Sequence, residues 1–365
     1  MSLARSLSTR AQTTSGGAPL PATTQAAVLR GGTVSIEHPA VSEPGAGEVL
    51  VAVDLATVCG ADRAAAASGE GPDRILGHEG VGRVVRAGSG VALRQGARVV
   101  WSPVVTCGRC DRCRAGLSAA CRKSRALGRE PIDGSWPLSG SFARHLLLPR
   151  GTAIAAVPDA LADPVAASAG CAAATVVSAF DRAGSLPGAR VLILGAGLLG
   201  LTAAAYANDH GAASIAVLDR DAARRTLARK FGATETIDHS SALPDTDIAI
   251  DLTRTPETTA AALHSLTVGG RMVLVEQHRA HTPGDEDPTR VLLDAHRTTA
   301  RWQSIVGVSG AEPRHLIEAI EYLTSARTRW PWEQLVTPAV PISHLPTLLA
   351  QPAPIAPRTA VQPRR

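Results

Sequence analysis

Aromatic residues are scarce in this chain, with five Trp, three Phe and two Tyr among 365 residues. With few rings to stack on bases and a net charge of only +5, a nucleic-acid-binding role has little support. A solvated basic surface accounts for the arginines. Lysine occurs only as Lys123 and Lys230, a coding bias without functional content. No uninterrupted apolar run reaches about 18 residues, the length that argues for a membrane-spanning helix. The first 22 residues lack an apolar signal core and read as a disordered extension, with a transit-type signal as the other reading. There are six cysteines. Without a secretory signal, they point to thiolate chemistry or metal binding in the cytoplasm and away from a disulfide framework.

The length suits two domains. From Gln25 to about Val100, short strand-like pieces such as Ala26–Leu29, Val34–Ile36 and Val49–Val53 alternate with Gly/Pro turns. That pattern predicts an antiparallel, barrel-like opening. From Ala173 the pattern becomes alternating strand and helix, as a parallel sheet requires. Strands are expected at Val191–Leu194, Ile215–Leu218, Asp247–Asp251, Arg271–Glu276 and Gln303–Gly307, with helices at Thr255–Ser265 and Pro313–Ser325.

Three sets of residues carry chemistry. In the first, Cys59 is followed by Gly77-His78-Glu79-Gly80, a combination able to hold a metal with one position open to substrate. His78 alone would read as a satisfied turn histidine; Cys59 and the flanking glycines reverse that. In the second, Cys107, Cys110, Cys113 and Cys121 fall within fifteen residues. Four soft sulfurs at this spacing suit a closed, tetrahedral structural zinc site. A redox pair or a zinc ribbon for nucleic acid is the competing reading. In the third, Gly195, Gly197 and Gly200 follow a short apolar strand, and Leu198 and Leu199 open an apolar helix. Asp219 ends the next strand. This is the dinucleotide-binding fingerprint. The glycines permit a tight turn and close approach of pyrophosphate, and the helix N-terminus attracts its charge. Asp219 is expected to accept from the ribose hydroxyls, favouring NAD(H) over NADP(H), while Arg220, Arg224 and Arg225 weaken that preference. Arg358 reads either as a phosphate contact or as an idle exposed arginine.

In order and spacing these motifs resemble the zinc-dependent medium-chain dehydrogenase/reductase family, the alcohol dehydrogenase superfamily, from about Gln25 to Arg365. The resemblance implies a GroES-like β-rich catalytic domain over 23–172 with a structural zinc lobe at 107–121. It further implies a Rossmann doubly wound NAD-binding domain over 173–308 and a return to the catalytic domain over 309–365. It assigns a catalytic zinc to Cys59, His78 and Cys171, with Glu79 as a transient ligand and Asp62 orienting His78. Taken alone, Cys171 would read as a buried core thiol. On the family assignment all six cysteines are used, four at one zinc and two at the other. Some stretches, including Trp136–Gly140 and Glu312–Leu316, resemble the phosphonate catabolism-associated alcohol dehydrogenases, which implies a hydroxyalkylphosphonate or phosphonoaldehyde substrate. Family members are homodimers or homotetramers acting on small alcohols or carbonyls.

The chain departs from the family at the proton relay. Many members carry a hydroxyl two residues after the first zinc cysteine and a histidine three residues later; here those positions are Ala61 and Ala64. Water, Thr57 or His145 are the candidate replacements. A natural-product tailoring reductase acting on C=C or C=N is the alternative enzyme. A non-catalytic nucleotide- and zinc-binding protein is the alternative from another class. Trp101, Pro103 and Phe142 are candidate pocket residues or ordinary core.

Overall fold

A computed structural model describes residues 19–253, 255–275, 291–351 and 356–364. Most of the N-terminal extension expected over residues 1–22, and Glu276 at the end of an expected strand, lie outside the described residues. Thr23 already pairs with Ala40.

Two sheets of different character position everything else. The antiparallel one is organised on Val49–Val58, a ten-residue strand whose residues are buried except for half-buried Asp54. It pairs antiparallel with Glu79–Ala87, with His145–Leu148 and with Thr359–Gln362 from the far end of the chain. A three-stranded sheet, Ala26–Arg30 with Thr33–Glu37 and Arg74–Ile75, lies beside it in sequence. Trp101, Trp136, Phe142, Leu50 and Leu146 are fully buried in the core these β-sheets share.

The second sheet has six strands, all parallel: Glu235–Ile237, Ser214–Leu218, Arg190–Leu194, Thr246–Asp251, Leu266–Val275 and Ser304–Val308, in that spatial order. Parallel strands are covered on both faces and read as near-continuous apolar runs, as Val191–Leu194 does. The chain therefore adopts the expected α/β architecture, a β-rich domain joined to a doubly wound parallel sheet.

Between the sheets runs the one helical stretch among the described residues long and apolar enough to cross a membrane, Asp163–Ala183, and 78% of its apolar window is buried inside the protein. The π-helix Ala169–Ala173 interrupts it and continues directly into the helix Ala174–Ala183. Such single-turn widenings commonly accompany functional residues. This one carries Cys171.

Candidate active site and zinc lobe

Strand register explains how distant residues meet. Thr57 lies opposite Glu79 on one side and opposite Ala360 on the other. The Thr57 hydroxyl donates to Glu79 Oε2 at 2.6 Å. Arg358, two residues before Ala360 and so on the same face, forms a bidentate pair with Glu79 at 2.7 and 2.8 Å. Both partners are buried. Burial alone would raise the Glu79 carboxyl, but the Arg358 guanidinium, helped by Thr57, holds it below its ordinary value. Arg358 is raised correspondingly, Glu79 outweighing its desolvation. This corrects the sequence reading of Arg358 as an idle, exposed arginine. Its fork is taken by a carboxylate it meets only because the C-terminal strand returns to this sheet.

Next to Glu79, His78 Nε2 lies 3.3 Å from Cys59 Sγ. Its other nitrogen faces Asp62 Oδ1 at 3.2 Å. Asp62 also accepts from the Cys59 amide at 2.9 Å, and the Cys59 sulfur accepts from the Ala61 amide at 3.2 Å. Cys59 and Asp62 thus form a capping box at the start of the helix Gly60–Ser68, which sets both side chains by local geometry. Asp62, buried, would be raised by desolvation, but the His78 ring and the Cys59 amide lower it. His78 is held well above its ordinary value because the charges of Cys59 and Asp62 overcome burial. The Cys171 thiol reaches the same imidazole, and burial pushes it up to about 11.

The donor atoms of Cys59, His78 and Glu79 lie within 4.8 Å of one another. Cys171 stands outside this trio and is tied to it through the His78 ring; a thiol and an imidazole side by side, with Asp62 fixing the imidazole's far nitrogen, suit a zinc site that the second thiol would complete. A metal here needs a neutral imidazole and deprotonated sulfurs, so loading one would release protons. Cys59, His78 and Cys171 would be the ligands. Glu79 stands beside them with both oxygens occupied by Arg358 and Thr57.

The second cluster lies within one loop. The Cys110 and Cys113 sulfurs are 3.5 Å apart, and the Cys107–Cys113 and Cys110–Cys121 pairs are each 4.0 Å apart. These distances bracket the edge of about 3.75 Å expected of a tetrahedron with 2.3 Å Zn–S bonds. Backbone N–H groups of Cys113 and Arg122 bring Cys110 down to about 6. Desolvation pushes Cys113 up to about 12. Four thiolates cannot coexist here without a cation, and the donor set fits structural zinc. Glu312, at the start of the helix Pro313–Ser325, accepts from the Ser118 hydroxyl and from the Ser118 and Ala119 amides at 2.9 and 2.8 Å. The lobe is therefore fastened to that helix, a contact absent from the sequence reading.

At the parallel sheet, Gly195 has φ +102, and a Cβ on Gly200 would stand 1.8 Å from the Gly195 carbonyl oxygen. Both positions require glycine. Gly197 caps the helix Leu198–Asp209, leaving its first amides available to an anion. Leu198 is buried and Leu199 half-buried. Asp219 Oδ2 accepts from the Ala196 amide at 2.7 Å and Oδ1 from the Asp221 amide at 2.8 Å. Each oxygen keeps one lone pair for a ribose. Arg220 is exposed, while Arg225 donates to the Asp219 carbonyl at 2.7 Å.

Three further expectations meet the structure differently. His145 lies opposite Ala52 and its Nδ1 pairs with the Thr24 hydroxyl at 2.9 Å. Ala52 is five residues from Thr57, roughly 17 Å along a strand, so His145 is no proton donor to this cluster. Trp101 and Phe142 are core, the Trp101 indole packing 2.8 Å from where a Gly80 Cβ would stand. Thr57, two residues before Cys59, has its hydroxyl engaged by Glu79.

Comparison with known proteins agrees with this layout. The profile of the alcohol dehydrogenase GroES-like domain matches residues 45–159, and that of the zinc-binding dehydrogenases matches residues 199–325. The chain is 30% identical over 330 residues to 5-exo-hydroxycamphor dehydrogenase of Pseudomonas putida, covering 81% of this chain and 86% of that one. It is also 30% identical over 293 residues to L-threonine 3-dehydrogenase of Shewanella putrefaciens, covering 74% and 79%. A zinc-binding dehydrogenase from Sinorhizobium meliloti, solved bound to NADP, superposes with a TM-score of 0.82 at 27% identity, covering 94% of this chain and all of the other. The chain belongs to the zinc-type medium-chain alcohol dehydrogenases, a family of oxidoreductases.

Proposed function

We propose that this protein catalyses reversible hydride transfer between a nicotinamide dinucleotide and the carbinol or carbonyl carbon of a small substrate held beside Cys59, His78 and Cys171. The observation that carries this reading is the 3.3 Å contact of Cys59 with His78, backed by Asp62, in a chain that also has the Gly195–Gly200 turn. Cys59, His78 and Cys171 would hold a zinc ion, which would supply Lewis-acid polarisation of the substrate oxygen, and a dinucleotide held at Gly195–Gly200 would give or take the hydride. Asp62 orients His78. The glycine turn and helix N-terminus hold the pyrophosphate, and Asp219 holds the adenosine ribose. That carboxylate favours NAD(H); the exposed Arg220 and the NADP-bound relative keep NADP(H) in the comparison. With alanine at positions 61 and 64, the substrate proton leaves through water, because Thr57 is committed to Glu79 and His145 is remote.

Two zinc ions per chain belong to this reading, one at each cysteine cluster. So does a cytoplasmic enzyme with no nucleic-acid or membrane partner. Ser304–Val308 forms one edge of the parallel sheet, beside Trp302 at 82% and Val268 at 70% exposure. An exposed apolar edge of this kind favours a homodimer or homotetramer. Conversion to a monomer by Trp302→Glu, read by light scattering, tests the dimer. A hydroxyalkylphosphonate would require a free cation at the reaction centre, and Arg358 is held by Glu79. Reduction of C=C or C=N bonds remains the second reading, favoured by the alanines at 61 and 64.

The decisive experiment measures dinucleotide reduction with a panel of alcohols alongside zinc per chain. Activity lost with one zinc of two, and recovered on zinc addition, supports the proposal. Full activity with the buried cluster empty rejects it.

A further inference from the structure

Thr57 is fully buried on the long central strand, two residues before Cys59. Its hydroxyl donates to Glu79 Oε2 at 2.6 Å. The same oxygen accepts from Arg358 Nε at 2.7 Å, while Oε1 accepts from Arg358 Nη2 at 2.8 Å. A carboxylate has about four lone-pair sites, two on each oxygen. Oε2 therefore has both of its own filled, and Oε1 keeps one. The last guanidinium nitrogen, Nη1, donates to the Pro357 carbonyl at 3.1 Å, so the fork itself is held in place.

Glu79 stands close enough to the neighbouring donors for this arrangement to matter. One of its oxygens lies within 4.8 Å of the Cys59 sulfur and of a His78 ring nitrogen, and a modest shift would turn the carboxylate into a metal ligand. Two things oppose that shift. Pulling Glu79 away would leave the buried Arg358 guanidinium without its counter-charge, a costly state. A smaller movement could keep the fork and still offer one oxygen to a metal, and Arg358 alone does not prevent it. Thr57 does. The carboxylate is planar and rigid, so neither oxygen can turn toward the cluster without moving the other. Two donors on one side chain act as a hinge, and a third donor from a separate element fixes the plane. The third donor here is β-branched, with few side-chain rotamers, on a strand paired on both sides.

We infer that Thr57 is a positioning residue: its hydroxyl locks the Glu79 carboxylate into the pair with Arg358, so that Glu79 stands behind Cys59, His78 and Cys171 as a fixed counter-charge and stays out of the metal's ligand shell. The inference rests on the dehydrogenase reading, in which three protein ligands leave a place for a substrate oxygen. A carboxylate free to take that place would compete with the substrate. The family resemblance gives Glu79 the part of a transient ligand. In this chain the threonine before Cys59 takes that part away.

The test uses the full chain with zinc in the lobe and cobalt(II) at the open site. It reads the visible absorption of the cobalt and its titration with imidazole, a small neutral ligand. Thr57→Val keeps the shape of the side chain and removes the hydroxyl. The cobalt absorption should weaken by about twofold as an added oxygen ligand takes the site beyond four-coordination. The apparent Kd for imidazole should rise by about tenfold, because Glu79 then holds the competing position most of the time. Thr57→Ser restores the donor and should return both readouts to those of the unaltered chain. Thr57→Ala repeats the test if the first variant disturbs the strand. A Thr57 that only fills space would alter stability and leave both readouts unchanged. That outcome in both variants lacking the hydroxyl, or failure of Thr57→Ser to rescue, overturns the inference while the dehydrogenase reading stands. Cobalt that loads the lobe but never the Cys59 cluster overturns the dehydrogenase reading and the inference with it.

Discussion

Cys107, Cys110, Cys113 and Cys121 come from a single loop, where backbone amides donate to the Cys110 and Cys121 sulfurs and the neighbouring ion pair Arg122–Asp111 is solvent-exposed. Cys59, His78 and Cys171 come from a helix start, a strand start and a π-helix, backed by the buried charges of Asp62, Glu79 and Arg358. The first set closes on itself with four like donors, which leaves no position for a substrate. The second has fewer sulfurs and a mixed donor set, and its electrostatics come from outside the ligands. A closed, locally encoded site is suited to holding a loop together. An open one needs a scaffold that fixes its ligands from several directions, and two sheets supply it here.

That contrast can be broken at either end. The largest effect is expected at the open site: Cys59→Ser should lower kcat/KM by at least about 10³-fold, or about 4 kcal/mol. It should remove one zinc of two and leave the melting temperature within a few degrees. An active variant that retains both metals would refute the assignment. Cys113→Ser should give the mirror image, with a melting temperature about 5–10 °C lower and a much smaller loss of turnover below the transition. Calorimetry and zinc analysis together distinguish the two outcomes.

Asp62→Asn sharpens the comparison, because it alters only what stands behind a ligand. Zinc affinity at the open site should weaken by roughly 10–100-fold, read by competition with a chromogenic chelator, while the lobe's metal is unaffected. Equal weakening at both sites would mean that the two are not independent. The smallest effect is expected where the regions are joined. Glu312→Ala removes the acceptor for Ser118 and Ala119 and should cost about 1–3 kcal/mol in denaturant unfolding. Faster release of lobe zinc to the chelator should accompany it.

The dinucleotide turn and the lobe were legible in the sequence because each is short. A strand, three glycines and a helix within a dozen residues, or four cysteines within fifteen, are set by local backbone geometry and need no distant partner. The helix Pro313–Ser325 was equally legible, since its capping residue, proline and apolar spacing are all contiguous. The fate of Arg358 was not. Its guanidinium pairs with Glu79 because Thr359–Gln362 adds to the strand Val49–Val58 in one particular register, and a strand carries no record of the partner it will choose. The same holds for Glu312. Its capping role is written in its neighbours, but its reach to Ser118 depends on how the lobe packs against the helix.

By itself the sequence determined the class of chemistry: a dinucleotide turn, two sets of candidate metal ligands and the fold that carries them. Tertiary structure alone decided which charges stand behind those ligands, that Glu79 has both oxygens engaged and that His145 is remote. Ligand identity is a property of residue type and local spacing. Charge compensation depends on contacts between residues far apart in the chain, and those exist only once the sheets have packed.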